Sequence, residues 1–318
     1  MKIGIITAYN ANNYGCFLQA FALENFLEDL GHKVYLIHFM DFNHGGSDYK
    51  DAFWDNLQRS HAKLHITENL HDDFDLIIYG SDEIWSMSGE LKNSMYWGWH
   101  LRSKKKISYA ASAQSLTFKK ILAHPYTFFG LMKFNALSVR DNVSLQKISH
   151  LTLKRVYKVL DPTFLYNFNS IKIQNTIGNY LLVYTYDLND SLVKEIKKFA
   201  KKNKLKIVCT GPDKRDWADF NLPVNPFEWI GLIKNAKFVI SSTFHGTVFS
   251  ILCHKQFFVM GTESAKVLDL LKDLGLMSRK TKTLEKIKDI DYGSVQEKLR
   301  HKIEYSKKFL RNNLNLEK

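Results

Sequence analysis

The sequence predicts an α/β protein made of two doubly wound domains. Three observations carry that expectation. Short apolar runs rich in β-branched residues alternate with segments whose apolar residues recur at helical spacing, the pattern of βαβ units with parallel strands. The alternation breaks between Asp161 and about Asn179 and then restarts. The chain, at 318 residues, also exceeds the usual size of a single domain. The division is expected at residues 1–168 and 169–318.

The elements follow in order. Residues 2–7 (KIGIIT) read as the first strand. A helix is expected over 15–30, where Leu23, Leu27 and Leu30 form one stripe with Phe17 and Phe21 beside it. Gly31 then suits a left-handed C-terminal cap. HKVYLIHF is the second strand, and residues 42–71 read as a long loop with one or two short helices. Strands return at 74–79, 106–109, 136–139 and 156–160. Polar residues follow each of them: Gly80-Ser81-Asp82, Ala111-Ser112, Arg140-Asp141 and Asp161-Pro162. In the second half, strands are expected at 180–186, 205–209, 237–240 and 256–260, with helices at 191–202, 247–253 and 267–274 between or after them. Asn225-Pro226-Phe227-Glu228 starts a further helix, with Asn as N-cap, Pro at the first position and Glu at the third. Gly275 ends the helix before it, and a basic helix occupies about 294–311.

Composition narrows the class. Hydrophobic residues at 45% and charged residues at 24% are ordinary for a folded globular protein. The N-terminal apolar run is too short for a signal peptide, and no run approaches a transmembrane helix. The three cysteines (Cys16, Cys209 and Cys253) are odd in number and lack CxxC spacing. A reducing, cytoplasmic setting with neither a disulfide framework nor structural zinc is expected. The net charge of +13 suits anionic small substrates or an anionic membrane surface. Nucleic acid is not expected as a partner, because no zinc-finger spacing, RNP-type motif or recognition helix is visible.

Four stretches could carry chemistry. AYNANNYGC, after the first strand, offers Asn10, Asn12, Asn13 and Tyr14, with Gly15 opening the helix; it lacks the GxGxxG of a dinucleotide site. Such a loop is a turn with an Asx cap or a binding loop at a switch point, and the density of amides favours binding. Asp82 in YGSDEIWS could act as a base, hold sugar hydroxyls or cap the next helix beside Ser81. Asp161-Pro162 is equally a turn or a site residue. In ISSTFHGTVFS, Ser241, Ser242, Thr243 and His245 end a buried strand, and Gly246 and Thr247 start a helix. Free N–H groups at a helix start attract phosphate or carboxylate, and a histidine titrates near neutral pH. His38, His44, His61, His65 and His71 raise a metal reading, with His61 and His65 at i,i+4, but without HExxH or a partner at known spacing surface histidines are expected. No metal site or cofactor is therefore assigned. Cys16 lies at a helix start, where a thiol can be acidified, yet a small packed residue is the better reading.

Taken in order, these stretches resemble the polysaccharide pyruvyl transferase family. The Asn-Asn-Tyr-Gly opening with Leu-Gln-Ala after it, DLIIYGSDEIWS, ISYAASAQS, LSVRDNVSLQ, VLDPTFL and the block from NPFEW to QFFVM carry the resemblance over roughly the first 280 residues. It implies a glycosyltransferase-B-like pair of Rossmann-like domains, with the first on the acceptor side and the second on the donor side. It also implies transfer of pyruvate from phosphoenolpyruvate onto two hydroxyls of a saccharide, as a cyclic ketal, in cell-surface or exopolysaccharide biosynthesis. The acceptor is expected to be a saccharide, lipid-linked at the inner membrane face, which the basic C-terminal half would favour. His245 becomes the candidate acid or phosphate partner, Asp82 and Asp161 candidates for base or sugar orientation, and Arg140 a clamp for carboxylate or phosphate. Ser112, at the end of its strand, joins the binding set. Some members carry Arg where Thr243 stands here, so either Lys266, Arg279 or Arg140 brings that charge or this corner binds something less charged. Two rivals share the architecture: a glycosyltransferase with a nucleotide-sugar donor, and a non-catalytic saccharide-binding protein.

Overall fold

A computed structural model of the chain describes residues 1–40, 47–88, 93–171, 174, 176–186, 188–284 and 288–315. The first half contains β1 (Lys2–Ile6), α1 (Tyr14–Glu28), β2 (Lys33–Ile37), α2 (Asp48–Ser60), β3 (Ile66–Thr67), β4 (Phe74–Tyr79), β5 (Ser103–Ser108), α3 (Phe118–Ala123), α4 (Tyr126–Met132), β6 (Leu137–Val139), α5 (Asn142–Ser149) and β7 (Val156–Lys158). Its sheet is parallel, in the order β3-β2-β1-β4-β5. The parallel pair β6–β7 extends it through bridges from Ile107 to Ala136 and from Ala111 to Val139. The second half contains β8 (Tyr180–Tyr184), α6 (Asp190–Lys202), β9 (Lys206–Cys209), β10 (Phe220–Asn221), α7 (Pro226–Asn235), β11 (Phe238–Ser241), α8 (Phe244–Leu252), β12 (Phe257–Val259), α9 (Ala265–Leu274) and α10 (Tyr292–Leu314). Its parallel order, β10-β9-β8-β11-β12, repeats that of the first sheet. Both sheets therefore reverse direction next to their first strand, and a crevice opens at that switch point.

Local chemistry explains the main boundaries. Asn13 Oδ1 accepts from the Gly15 N–H at 2.7 Å and starts α1. Gly31, with φ +83°, receives the chain after α1, and its N–H bonds to the Glu28 carbonyl at 2.8 Å. Asn225 and Glu228 form the capping box expected from their spacing. Two expectations change. The loop over 42–71 holds a helix of 13 residues, α2, whose Phe53 and Leu57 reach the core. The helix expected at 247–253 begins three residues earlier, because the Thr243 hydroxyl accepts the Gly246 N–H at 3.0 Å and acts as N-cap.

The two halves meet across one continuous apolar core. Helix α1 is apolar almost all round and buried on nearly every face, which fits a helix held between a sheet and a second body. Tyr14 stacks on Trp229 with ring centroids 5.1 Å apart, and Phe17 and Phe21 meet Phe227 edge-on at 5.7 and 5.1 Å. The Tyr14 hydroxyl reaches Thr210 Oγ1 at 2.8 Å. Helix α10 returns to the first half, where Ser306 Oγ accepts the Leu160 N–H at 2.9 Å and Phe309 packs on Tyr157.

Candidate functional site

Four charged or titratable groups converge where the C-terminal ends of both sheets face each other. Asp82 follows β4, Arg140 follows β6, Asp161 follows β7 and His245 lies in the first turn of α8. Arg140 bridges the two carboxylates: its Nη2 donates to Asp82 Oδ1 and its Nη1 to Asp161 Oδ2, each at 2.7 Å. The Ser81 hydroxyl donates to Asp161 Oδ2 at 2.9 Å, and the Thr163 N–H and hydroxyl fill Oδ1 at 3.1 and 2.8 Å. His245 Nε2 stands 3.6 Å from Asp161 Oδ2, longer than a hydrogen bond, and has no hydrogen-bond partner among the described residues. Among the described residues, Asp82 Oδ2 receives only the Cys16 thiol, at 2.9 Å. Asp82 has φ +70°, a left-handed backbone sparsely populated by non-glycine residues and often found at functional sites.

This geometry sets the charge states. Burial pushes the Asp82 carboxyl up, but Arg140, with His245 and Lys266 behind it, outweighs that and holds it well below the usual carboxylate range. Burial likewise opposes the Asp161 carboxylate, and His245 and Arg140 together keep it well below its ordinary value. Burial and the Asp82 charge raise the Cys16 thiol well above its normal value, so it is a neutral donor and not a nucleophile. The start of α1 does not acidify it, and the reading of Cys16 as a packed residue is extended by its bond to Asp82.

Gly15 joins the halves at this point. A Cβ built on it would stand 1.9 Å from Nδ1 of His245, so only glycine lets the imidazole lie against α1. The ISSTFHGT hydroxyls, expected as ligand donors, are instead committed to the strand–helix turn. Ser241 Oγ accepts the Thr243 N–H at 3.0 Å, and Thr247 Oγ1 donates to the Thr243 carbonyl at 2.9 Å. Ser242 Oγ accepts the Tyr186 N–H at 2.8 Å. A Cβ on Gly246 would meet Ser241 Oγ at 2.1 Å, so its role includes letting this turn close. Ser112 is drawn to the α5 cap, donating to Asp141 Oδ2 at 2.7 Å. Asn10 donates to the Met40 carbonyl at 3.2 Å, and Tyr14 serves the interface between halves. Lys266 lies 3.2 Å from Glu83 Oε2, an ion pair that joins the second half to the segment after Asp82. The cation nearest the start of α8 belongs to the first half: the Arg140 guanidinium carbon lies 4.7 Å from the Phe244 ring. Arg279 is turned away and donates to the Lys288 carbonyl.

Sequence reasoning missed several members of the site. Cys16 and Thr163 contact the carboxylates, and Gln19 holds the Ser81 N–H at 3.2 Å. The Tyr186 N–H donates to Ser242 Oγ at 2.8 Å, which ties this residue to the turn that carries His245. The Leu-Gln-Ala triplet was a usable signal for Gln19; nothing local marks Thr163 or Tyr186. Beside the cluster, a cavity of about 390 Å³ is lined by Arg140, Asp161 and Phe244 on one side and by Leu270, Lys302 and Tyr305 on the other. The buried Arg140 Nε has no hydrogen-bond partner among the described residues.

The histidines separate from this site. His65, expected as a surface histidine, has its Nδ1 2.9 Å from Glu28 and 3.3 Å from Glu24. These three offer ligand atoms within 4.8 Å of one another, the one such group among the described residues. His61 stacks on Phe17 at 5.9 Å, and His38 reaches the Tyr9 hydroxyl at 2.7 Å. His44 lies outside the described residues.

Two parallel sheets of the same strand order, with their C-terminal ends facing across a buried charged cluster, define a glycosyltransferase-B-type α/β protein. Solved structures of that type match over nearly the whole chain. A Listeria monocytogenes protein described as a candidate UDP-N-acetylglucosamine 2-epimerase has a TM-score of 0.54 at 8% identity, covering 97% of this chain and 90% of its own. S. aureus MnaA, solved with UDP, has 0.52 at 9%, covering 96% and 91%. Anabaena HepE, solved with UDP and glucose, has 0.50 at 9%, covering 99% of both. At these identities the likeness shows the fold alone. Among curated proteins none matches the chain. The family model for polysaccharide pyruvyl transferase matches residues 13–264, and the chain belongs to that family. No helix among the described residues is long and apolar enough to cross a membrane.

Proposed function

We propose that the protein transfers pyruvate from phosphoenolpyruvate to two hydroxyls of a saccharide acceptor, forming a cyclic ketal and releasing inorganic phosphate. The observation that carries this is the convergence of Asp82, Arg140, Asp161 and His245 inside a member of the pyruvyl transferase family. His245 is the proton donor to the methylene carbon of the enol, which leaves an oxocarbenium-like C2. Asp161 is the positioning carboxylate: every oxygen of it already has donors, and its nearest uncommitted neighbour is His245 Nε2. Asp82 is the base. Its Oδ2 holds only a thiol, so it has room to accept the proton of the attacking sugar hydroxyl. That hydroxyl forms the first C2–O bond. The C2–O bond to phosphate then breaks, and the second hydroxyl closes the ring, its proton leaving with the phosphate.

Arg140 turns its Nε, which has no partner among the described residues, to the donor's negative groups, and the cavity beside it supplies enclosed space for them. The first half faces the acceptor and the second the donor. The test is phosphate release from phosphoenolpyruvate over a broad acceptor panel. Release that requires a saccharide and is lost in His245→Ala and Asp82→Asn supports the assignment; no release with any acceptor counts against it. The UDP found in S. aureus MnaA and Anabaena HepE keeps a nucleotide-sugar donor as the second reading. Thermal stabilisation by a nucleotide but not by phosphoenolpyruvate would favour it.

A further inference from the structure

Eleven large apolar side chains are exposed among the described residues, and six of them lie between residues 118 and 153: Phe118, Leu122, Phe128, Phe129, Met132 and Leu153. Helix spacing groups them within each helix. Phe118 and Leu122 are four apart on α3, and Phe128 and Phe129 stand four and three before Met132 on α4. The opposite face of α4 is fixed inward, since a Cβ on Gly130 would meet the Trp97 carbonyl oxygen at 2.2 Å. Lys154 donates from Nζ to the Met132 carbonyl at 2.7 Å, which sets the fully exposed Leu153 beside the end of α4. Phe118 at 70% exposure and Met132 at 60% are far beyond the scattered apolar exposure of an ordinary surface.

Between Leu116 and Lys158 the exposed charges are cationic, Lys119, Lys133, Lys154 and Arg155, with Lys120 and Lys147 half-buried and bonded to backbone carbonyls; the one carboxylate of this stretch, Asp141, is buried as the α5 cap, and Glu83 stands beside Ser115 at its edge. An apolar ridge ringed by cations is complementary to a bilayer with anionic headgroups: the rings enter the interface and the cations meet phosphate. A second copy of the same face would set like charges against each other. The ridge also borders the crevice. Lys120 Nζ bonds the Ser86 carbonyl and Ser88 Oγ, both at 2.8 Å, in the segment that follows Asp82.

We propose that α3, α4 and the Leu153 turn dock the protein on an anionic membrane surface, with the crevice mouth close to the lipid. The surface lies in the first half of the chain, not in the basic C-terminal half to which charge alone pointed. Sedimentation with vesicles tests it, using phosphatidylcholine alone and an equal mixture with phosphatidylglycerol. Binding is expected to the anionic vesicles and to weaken in high salt. The combined variant Phe118→Ser, Phe129→Ser, Met132→Ser, and separately Lys119→Glu with Arg155→Glu, should each lower the bound fraction at least about tenfold. Melting temperatures should stay put, because all five side chains are exposed. Absence of binding, equal binding to neutral vesicles, unchanged binding in the variants, or a concentration-dependent dimer that the substitutions abolish would each overturn the proposal. Phosphate release with a water-soluble acceptor does not depend on docking, so failure of the docking and failure of the proposed reaction are read separately.

Discussion

Replacing Arg140 by Met should destabilise the protein strongly and in a pH-dependent way. The side chain is 1% exposed and donates to two carboxylates at 2.7 Å, so the substitution keeps an apolar stem but leaves Asp82 and Asp161 buried without their shared counter-charge. Breaking a buried ion pair by removing one partner costs about 3–5 kcal/mol. For a chain of 318 residues the unfolding entropy near 60 °C is roughly 0.7 kcal/mol/K, so the melting temperature should fall by about 4–7 °C. The sign of the pH dependence follows from linkage. In the parent, the Asp82 carboxyl is depressed, so its stabilisation is present above its unfolded value and is lost as pH falls through its folded value. In the variant, burial loses its main opponent and the carboxyl is raised. Its contribution is then present at low pH and lost as pH rises. The deficit of Arg140→Met against the parent should therefore be largest at about pH 8 and shrink toward about pH 5. Differential scanning fluorimetry or circular dichroism at both values measures it. A deficit under about 2 °C at the higher pH, or one that does not change between them, would refute the claim that Arg140 compensates two buried carboxylates.

Three further outcomes follow from the same geometry. Gly15→Ala drives a methyl into the His245 ring, so phosphate release should fall at least about tenfold while the loss of stability stays at roughly 1–3 kcal/mol; an unchanged rate would mean that the imidazole need not lie against α1. The Cys16 thiol is buried and raised well above its normal value, so thiol reagents should modify it in the folded protein only as fast as global unfolding, as followed by mass spectrometry, and rapid native labelling would contradict its role as a neutral donor to Asp82. Burial raises the Glu24 carboxyl to about 7. A carboxyl whose folded value exceeds its unfolded one contributes stability at low pH and loses it as pH rises through about 7, so Glu24→Gln should raise the melting temperature at about pH 8.5 and much less at about pH 5.5, and an equal effect at both would show that Glu24 is ionised throughout.

Much of the fold was legible because local rules agree with it. The alternation of β-branched runs with helical periods, the Asn225–Glu228 capping box and the glycines after α1 and α9 all report backbone demands met within a few residues. A helix was expected within 42–71, but the place and length of α2 were not legible, because its apolar contacts, Phe53 and Leu57, are few and their value depends on what lies beneath them. The extra turn of α8 was hidden because Thr243 serves equally as ligand donor and as N-cap, and only the hydrogen bond to Gly246 decides between them.

For the site, the sequence by itself determined which residue types stand at the strand ends: Asp82, Arg140, Asp161 and His245 each follow an apolar run, and the order of their motifs along the chain carries the family. What only the tertiary structure decided is their partnership. Arg140 and Asp161 come from neighbouring strand ends of one sheet, so the pairing of β6 with β7 sets their 2.7 Å contact, while His245 comes from the other sheet and its 3.6 Å approach to Asp161 depends on how the two halves dock. The same docking made Gly15 a contact of His245, whereas the hydroxyls of ISSTFHGT are held by bonds within their own turn and Cys16 reaches Asp82 within the first half. The charge states of the cluster depend on contacts between residues 21, 58 and 84 positions apart, and in folded proteins such contacts are set by tertiary packing, not by local sequence pattern.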